Sequence, residues 1–168
     1  MTPAQSDQFD DYGCACRCLI ALANANGNPI TKEQFLDRFI NEPQFWFWKA
    51  QKQCGLTDTG LILDLIRALK LGTSFQVFFN KTEVRRRINE RLTSGVILCT
   101  ENREMEDGRV KNYFHCSLIG SKLESKGEFY MIPLDLDAKP QRGFAISDSK
   151  IDELAGYFLV IQPELEHS

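Results

Sequence analysis

The stretch QFDDYGCACRC, residues 8–18, sets cysteines at positions 14, 16 and 18 directly behind two aspartates, Tyr12 and Gly13. Thiols this dense suit three kinds of chemistry: metal ligation, disulfide bonding and nucleophilic attack. Successive residues of a helix are rotated by about 100°, so alternate ones point about 200° apart. Cys14 and Cys16 therefore cannot grip one ion as a two-residue knuckle does, and the same rotation keeps neighbours in the run from bridging. Cys14 and Cys18, one turn apart, could be completed by His115 and Cys116, but the sequence offers no second chelating pair. The expectation is no metal and no cofactor.

Nucleophilic attack asks for something different. CACRCLIALANA, residues 14–25, carries a single charge and reads as a short helix buried nearly all round, stopped by NGNP. Cys14 stands at its start, where unpaired amides and the positive end of the helix dipole stabilise a thiolate. Cys16 and Cys18 are expected to be small hydrophobes of the same helix, with Cys54 and Cys99 as core thiols elsewhere. A thiolate nucleophile needs a base, and the chain has two histidines. His167 sits in a polar tail next to the C-terminus, whereas His115 opens the apolar HCSLIG and is expected as a half-buried imidazole on a strand. A cysteine at a helix start and a distant histidine on a strand are the parts of a dyad.

The elements that must position these residues follow from periodicity. TKEQFLDRFI has Thr31 as N-cap, Gln34 in the capping-box position and an apolar stripe of Phe35, Leu36, Phe39 and Ile40. The aromatics at 45–48 read as core packing in a loop or helical turn. A helix is expected from about Thr59 to Leu71, stopped by Gly72, then a strand in SFQVFF and a helix in KTEVRRRINERLTSG ending at Gly95. VILCT reads as a short buried strand, NREMEDGRVKN as a polar turn, and YFHCSLIG, EFYMIPL and YFLVIQ as three strands, the first two joined by SKLESKG. Helices first and strands later give an α+β fold, with N-terminal helices packed on a mostly antiparallel sheet in a single domain over 1–168.

Composition narrows the partners. The 168 residues are 43% hydrophobic, enough for a core without covalent staples. A net charge of -3, from 20 basic and 23 acidic residues well mixed, offers no cationic surface for nucleic acid. The basic run Arg85–Arg87 reads as the solvated side of a helix. No stretch has the roughly 18 apolar residues of a membrane span, and the polar, acidic N-terminus has neither part of a secretory leader. A cytoplasmic start is expected, compatible with later export by a Sec-independent machine. Six cysteines in such a compartment are expected as thiols.

With these residues in place, the chain resembles the papain-like cysteine peptidases, most closely the bacterial branch related to the double-glycine leader peptidases. Five residues separate Gln8 from Cys14, similar to the arrangement in which that Gln lines the oxyanion hole and the Cys opens the central helix. GNPITKEQFLDRF, GLTDTGLILDLIRALKLG, INERLTSGVILCT and NYFHCSLIG resemble successive segments of that family, so the likeness runs over nearly the whole chain. The resemblance implies a papain-like fold and a Cys14, His115, Asp135 triad with Gln8 as oxyanion donor, cleaving a peptide or amide bond in a peptide or protein substrate. Asp137 and Asp148 are alternatives for the third member; Asp148 is otherwise expected to cap the SKIDEL helix. Two departures stand out: Cys14-Ala15-Cys16 replaces the family's Cys-Gly-Pro, and Leu136 rather than Pro follows Asp135. They leave a second reading open, a papain-like module that binds in its cleft without cutting.

Overall fold

The computed structural model describes residues 7, 9, 13–39, 41–42, 59–120, 128–132 and 144–164. Gln8, the aromatics at 45–48, Cys54, the turn at 121–127, Asp135, Asp137 and His167 lie outside the described residues. The chain divides into two compact units, residues 1–71 and 72–168. Helices make the described part of the first and an antiparallel sheet with helices makes the second, an α+β composition as expected.

In the first unit α1 spans Cys14–Ala25, α2 Lys32–Phe39 and α3 Thr59–Ala68, and α1 touches both of the others. The apolar run of α1 is buried from Ala15 to Ala23 except at Arg17 and Ala21. Thr31 and Gln34 form a complete capping box. The Gln34 amide donates to Thr31 Oγ1 at 3.1 Å, and Gln34 Oε1 accepts from the Thr31 amide at 2.9 Å. Phe35, Leu36 and Phe39 then face the core, with Phe35 against Phe9 and Phe39.

Helices α1 and α3 end by one device. After α1 the Asn28 amide reaches back to the Ala23 carbonyl at 2.9 Å, with Gly27 left-handed at φ 81. The helix expected to run to Leu71 ends earlier, because Lys70 takes the left-handed conformation at φ 56 and the Leu71 amide donates to Ile66 at 3.0 Å. Gly72 is not the stop. It has φ 117, and a Cβ there would overlap the Gln162 carbonyl, so glycine allows the next strand to lie close against its neighbour.

In the second unit β1 spans Thr73–Val77, α4 Lys81–Asn89, β2 Gly95–Glu106, β3 Arg109–Gly120, β4 Glu128–Met131, β5 Phe144–Ser147, α5 Asp148–Glu153 and β6 Ala155–Gln162. The sheet order is β1-β6-β2-β3-β4-β5, antiparallel at every pairing. Val96, Leu98, Ile119, Phe129, Phe158 and Val160 form one buried face with Val84 of α4 and Ile151 of α5. Ile97, Cys99, Cys116, Leu118, Leu159 and Ile161, which alternate with these along the strands, are buried too. Burial on both faces explains the near-continuous apolar runs VILC and FLVI.

NREMEDGRVKN is not a polar turn. Strands β2 and β3 run through it, and the turn shrinks to Asp107 and Gly108, both left-handed at φ 51 and φ 74, the type I′ geometry that matches strand twist. Within Arg85–Arg87, Arg86 is exposed as expected while Arg85 and Arg87 are partly buried. Arg85 pairs with Asp148 of α5, Arg86 with Glu83 and Glu90, and Arg87 with Glu83; Lys81 pairs with Asp152. Among the described residues, no helix is long and apolar enough to cross a membrane.

Helix α4 ends as α3 does, with Arg91 at φ 56 and the Leu92 amide donating to Arg87 at 2.9 Å. A left-handed conformation costs a side-chain-bearing residue about 1 kcal/mol that glycine does not lose. Arg91→Gly is therefore expected to stabilise the protein by about 0.5–1 kcal/mol, read from urea unfolding. Hydrogen bonds from Arg86 and then Arg87 hold the Glu83 carboxyl down at about 2. A carboxylate depressed this way stabilises the fold fully above its unfolded value of about 4.3 and loses that contribution as pH falls. The urea midpoints of the wild type and Glu83→Gln should differ modestly at neutral pH, the pair being partly exposed. They should converge between about pH 4 and pH 2; a constant gap across that range would refute the assignment.

Candidate active site

The approach into α1 is a tight backbone junction. The Gly13 amide donates to the Phe9 carbonyl at 2.8 Å, while the Gly13 carbonyl accepts from the Arg17 amide at 2.8 Å. A Cβ on Gly13 would overlap the Phe9 carbonyl oxygen, a backbone atom that cannot swing aside. Phe9 is itself buried and packs edge-on to Phe35 at 6.3 Å, so the carbonyl is fixed by the core of the first unit. Gly13 is buried and offers the first turn of α1 no side-chain acceptor, and no acidic residue lies in that turn. A helix start of this kind presents unpaired amides and the positive end of the helix dipole, an environment that favours a thiolate.

Cys14 is the first residue of this helix and is partly exposed. Cys16 and Cys18 are fully buried, as the sequence leads one to expect. Burial pushes the Cys16 thiol well above its ordinary value, the charge of neighbouring Cys14 adds to that, and a backbone hydrogen bond opposes it only in part. Cys16 is thereby held as a neutral thiol. Of the three cysteines in the opening run, only Cys14 combines access with a helix-start position. Among the described residues the cysteines Cys14, Cys16, Cys18, Cys99 and Cys116 are thiols rather than disulfides, and no three His, Cys, Asp or Glu side chains gather as metal ligands.

In the second unit, His115 lies on β3 directly opposite Thr100 of β2. It is exposed rather than half-buried. Alternation along the strand puts His115 on the face of Ser117 and Ile119 while Cys116 and Leu118 turn to the other. Cys116 and Leu118, the apolar residues that follow the imidazole and suggest its burial, are themselves buried. Next to β3, β4 pairs Ile119 with Met131 and Gly120 with Tyr130, and the Ile132 amide donates to the Leu118 carbonyl at 2.9 Å.

Asp148, one alternative for the third group, does not cap its helix. Ser147 does, its side chain accepting from the Lys150 amide at 3.2 Å. The Asp148 carboxylate is 2.5 Å from Arg85 Nη1, and that guanidinium lies over the Phe129 ring at 4.9 Å. Its charge is committed to tying α5 to α4. Gln8, Asp135 and Asp137 lie outside the described residues.

One pair of chemistry-bearing residues escaped the sequence reading. Cys99 and Cys116 are cross-strand partners with their sulfurs 3.8 Å apart. The Asp107-Gly108 dipeptide carried the signal, since a two-residue turn there fixes the register that sets these two opposite each other.

No family model matches the chain, and no curated protein matches it significantly.

Gly13→Ala should destabilise the protein by about 1–3 kcal/mol, because the added methyl meets a fixed backbone carbonyl rather than a movable side chain. Thermal unfolding checks this.

Proposed function

We propose that the protein is a papain-like thiol hydrolase that cleaves a peptide or amide bond through Cys14. The observation that carries this reading is the contrast within one helix: a part-exposed thiol at the start of α1, with the next two thiols sealed in the core. Core filling accounts for Cys16 and Cys18. It leaves unexplained a part-exposed cysteine placed where the backbone needs a glycine in front of it.

In the proposed reaction the Cys14 sulfur attacks the carbonyl carbon and the thiol proton passes to His115. The Cys14 backbone amide and the Gln8 side chain hold the oxyanion. Collapse of the tetrahedral intermediate breaks the C–N bond, His115 gives its proton to the leaving amine, and a thioester remains. Water, deprotonated by His115, then releases the acid and restores the thiol. Asp135 orients the imidazole through its second nitrogen. The β3–β4 register supports this choice: four residues back from Ile119 is His115, and four on from Met131 is Asp135. The triad as proposed requires the ladder to continue in that register. Exposure of His115 is compatible with a base that must meet substrate. A reducing cytoplasm suits an enzyme of this kind, whose nucleophile must stay reduced.

The test is alkylation with iodoacetamide across pH, followed by peptide mapping. Cys14 should react first and retain its reactivity at pH values where an ordinary thiol is protonated, while Cys16 and Cys18 stay unmodified in the folded protein. His115→Ala should remove the low-pH reactivity of Cys14, and Asp135→Ala should weaken it, each with the fold intact by circular dichroism. Against a peptide substrate, losing the base should cost about 10²–10⁴ in rate. Equal labelling of all cysteines, or a Cys14 profile unchanged in His115→Ala, would overturn the hydrolase and leave the non-cutting binding module as the reading.

A further inference from the structure

Cys99 and Cys116 have no part in the proposed hydrolysis, yet their placement is unusual for core filler. They are paired across β2 and β3, their sulfurs are 3.8 Å apart, and both are buried, at 0% and 2% exposure. The kind of pair they form follows from the hydrogen bonds further along β3. The Leu118 carbonyl accepts from Ile132, the residue that follows β4. In an antiparallel strand a residue sends its amide and its carbonyl to the same side, and residues two apart share that side. Cys116 therefore directs its backbone groups toward the β4 side and not toward β2. Cys99 and Cys116 are thus a non-hydrogen-bonded pair, the type whose Cα atoms lie about 4.5 Å apart with side chains drawn together. That spacing is inside the roughly 4.4–6.8 Å range a disulfide spans, at its short end. Side-chain rotation closes the remaining gap between the sulfurs while the ladder stays in register. A bond at the short limit of the range is also one that thiols reduce readily.

We propose that Cys99 and Cys116 are a redox-active dithiol that closes reversibly into a cross-strand disulfide, with a peroxide as oxidant. One thiolate attacks a peroxide oxygen, the O–O bond breaks, and a sulfenic acid forms with release of water. The second sulfur attacks the sulfenic sulfur, forming the S–S bond and expelling a second water. In total two thiols are oxidised and one hydrogen peroxide is reduced to two waters. Hydrogen peroxide is little larger than water, so it reaches a buried pair with less opening of the sheet than a bulky disulfide oxidant needs. The closed form staples the two strands of the long hairpin at their buried end, and Cys116 is the immediate neighbour of His115. The proposal stands independently of the hydrolase, because it is read from sulfur chemistry alone.

The experiment treats the full chain with hydrogen peroxide in native buffer, quenches with an alkylator in denaturant and maps the peptides by mass spectrometry, with circular dichroism on the same samples. The expected result is a cross-linked peptide joining Cys99 to Cys116, lighter by two hydrogens than the sum of its reduced halves. It should form with unchanged ellipticity and be fully reversed by dithiothreitol. Cys99→Ala and Cys116→Ala should each lose that peptide and leave the partner thiol alkylatable. Three results would overturn the proposal: both thiols still alkylating after oxidation of the folded protein, either sulfur bridging to a different cysteine, or the cross-link appearing only at denaturant concentrations that unfold the chain.

Discussion

The register of β2 against β3 is the constraint on which the second unit depends. It is set at the hairpin tip by Asp107 and Gly108, whose two positive φ values close the chain in the hand that the strands' twist requires. At the other end it is held by Val96 against Ile119 and Ile97 against Leu118, pairs buried on opposite faces. A strand buried on both faces still cannot slip, because each face has its own neighbours to fill. Moving β3 by one residue would carry Ile119 away from Phe129 and Val84 and bring the polar Ser117 side chain into the wrong layer. β6, paired along β2 from Gly95 to Glu101, is locked in by the same requirement. Gly156 permits the closest approach there, opposite Thr100, where a Cβ would overlap the Cys99 carbonyl.

The first unit works on a local rule. Gly13, the Phe9 carbonyl and the Phe35 ring beneath Phe9 decide how the chain enters α1. Within α1, burial and position along the helix differentiate three identical side chains. Cys16 and Cys18 are enclosed by the apolar residues that make the helix a core helix, and desolvation keeps the Cys16 thiol neutral. Cys14 escapes because helix ends are where a buried element must come to the surface. The chemical difference among the cysteines is a consequence of where the helix begins.

That distinction between local and non-local rules explains what could be read from the sequence. The bounds of α1 and the Thr31–Gln34 capping box were legible, since each is fixed by residues a few positions apart. The stops of α3 and α4 were not, because a lysine and an arginine take the left-handed position that composition assigns to glycine, drawing the eye on to Gly72 and Gly95. The hairpin went unseen because its outer half carries mostly polar residues, exposed Met105 and Val110 aside, so no apolar alternation marks it as strand. The dipeptide Asp-Gly was the stronger signal. Ser147 and Asp148 are both good N-caps by type; what separates them is Arg85, a partner 63 residues away that no local pattern discloses. The exposure of His115 was hidden for a related reason, since an apolar run says which residues are buried but not where along the strand cover begins.

The two halves of the proposed triad therefore rest on different physics. Cys14 depends on a junction made within a few residues of itself, where the Phe9 carbonyl is held by the core beneath the Phe9 ring. His115 depends on a count along a hairpin that also places Cys116, the next residue, on the opposite face. Any distortion of β3 that closes a bond at Cys116 acts on backbone atoms shared with the imidazole's own attachment. The proposed base and the proposed dithiol are thus neighbours along one strand, Cys116 following His115 directly, whereas the proposed nucleophile begins a helix of the other unit.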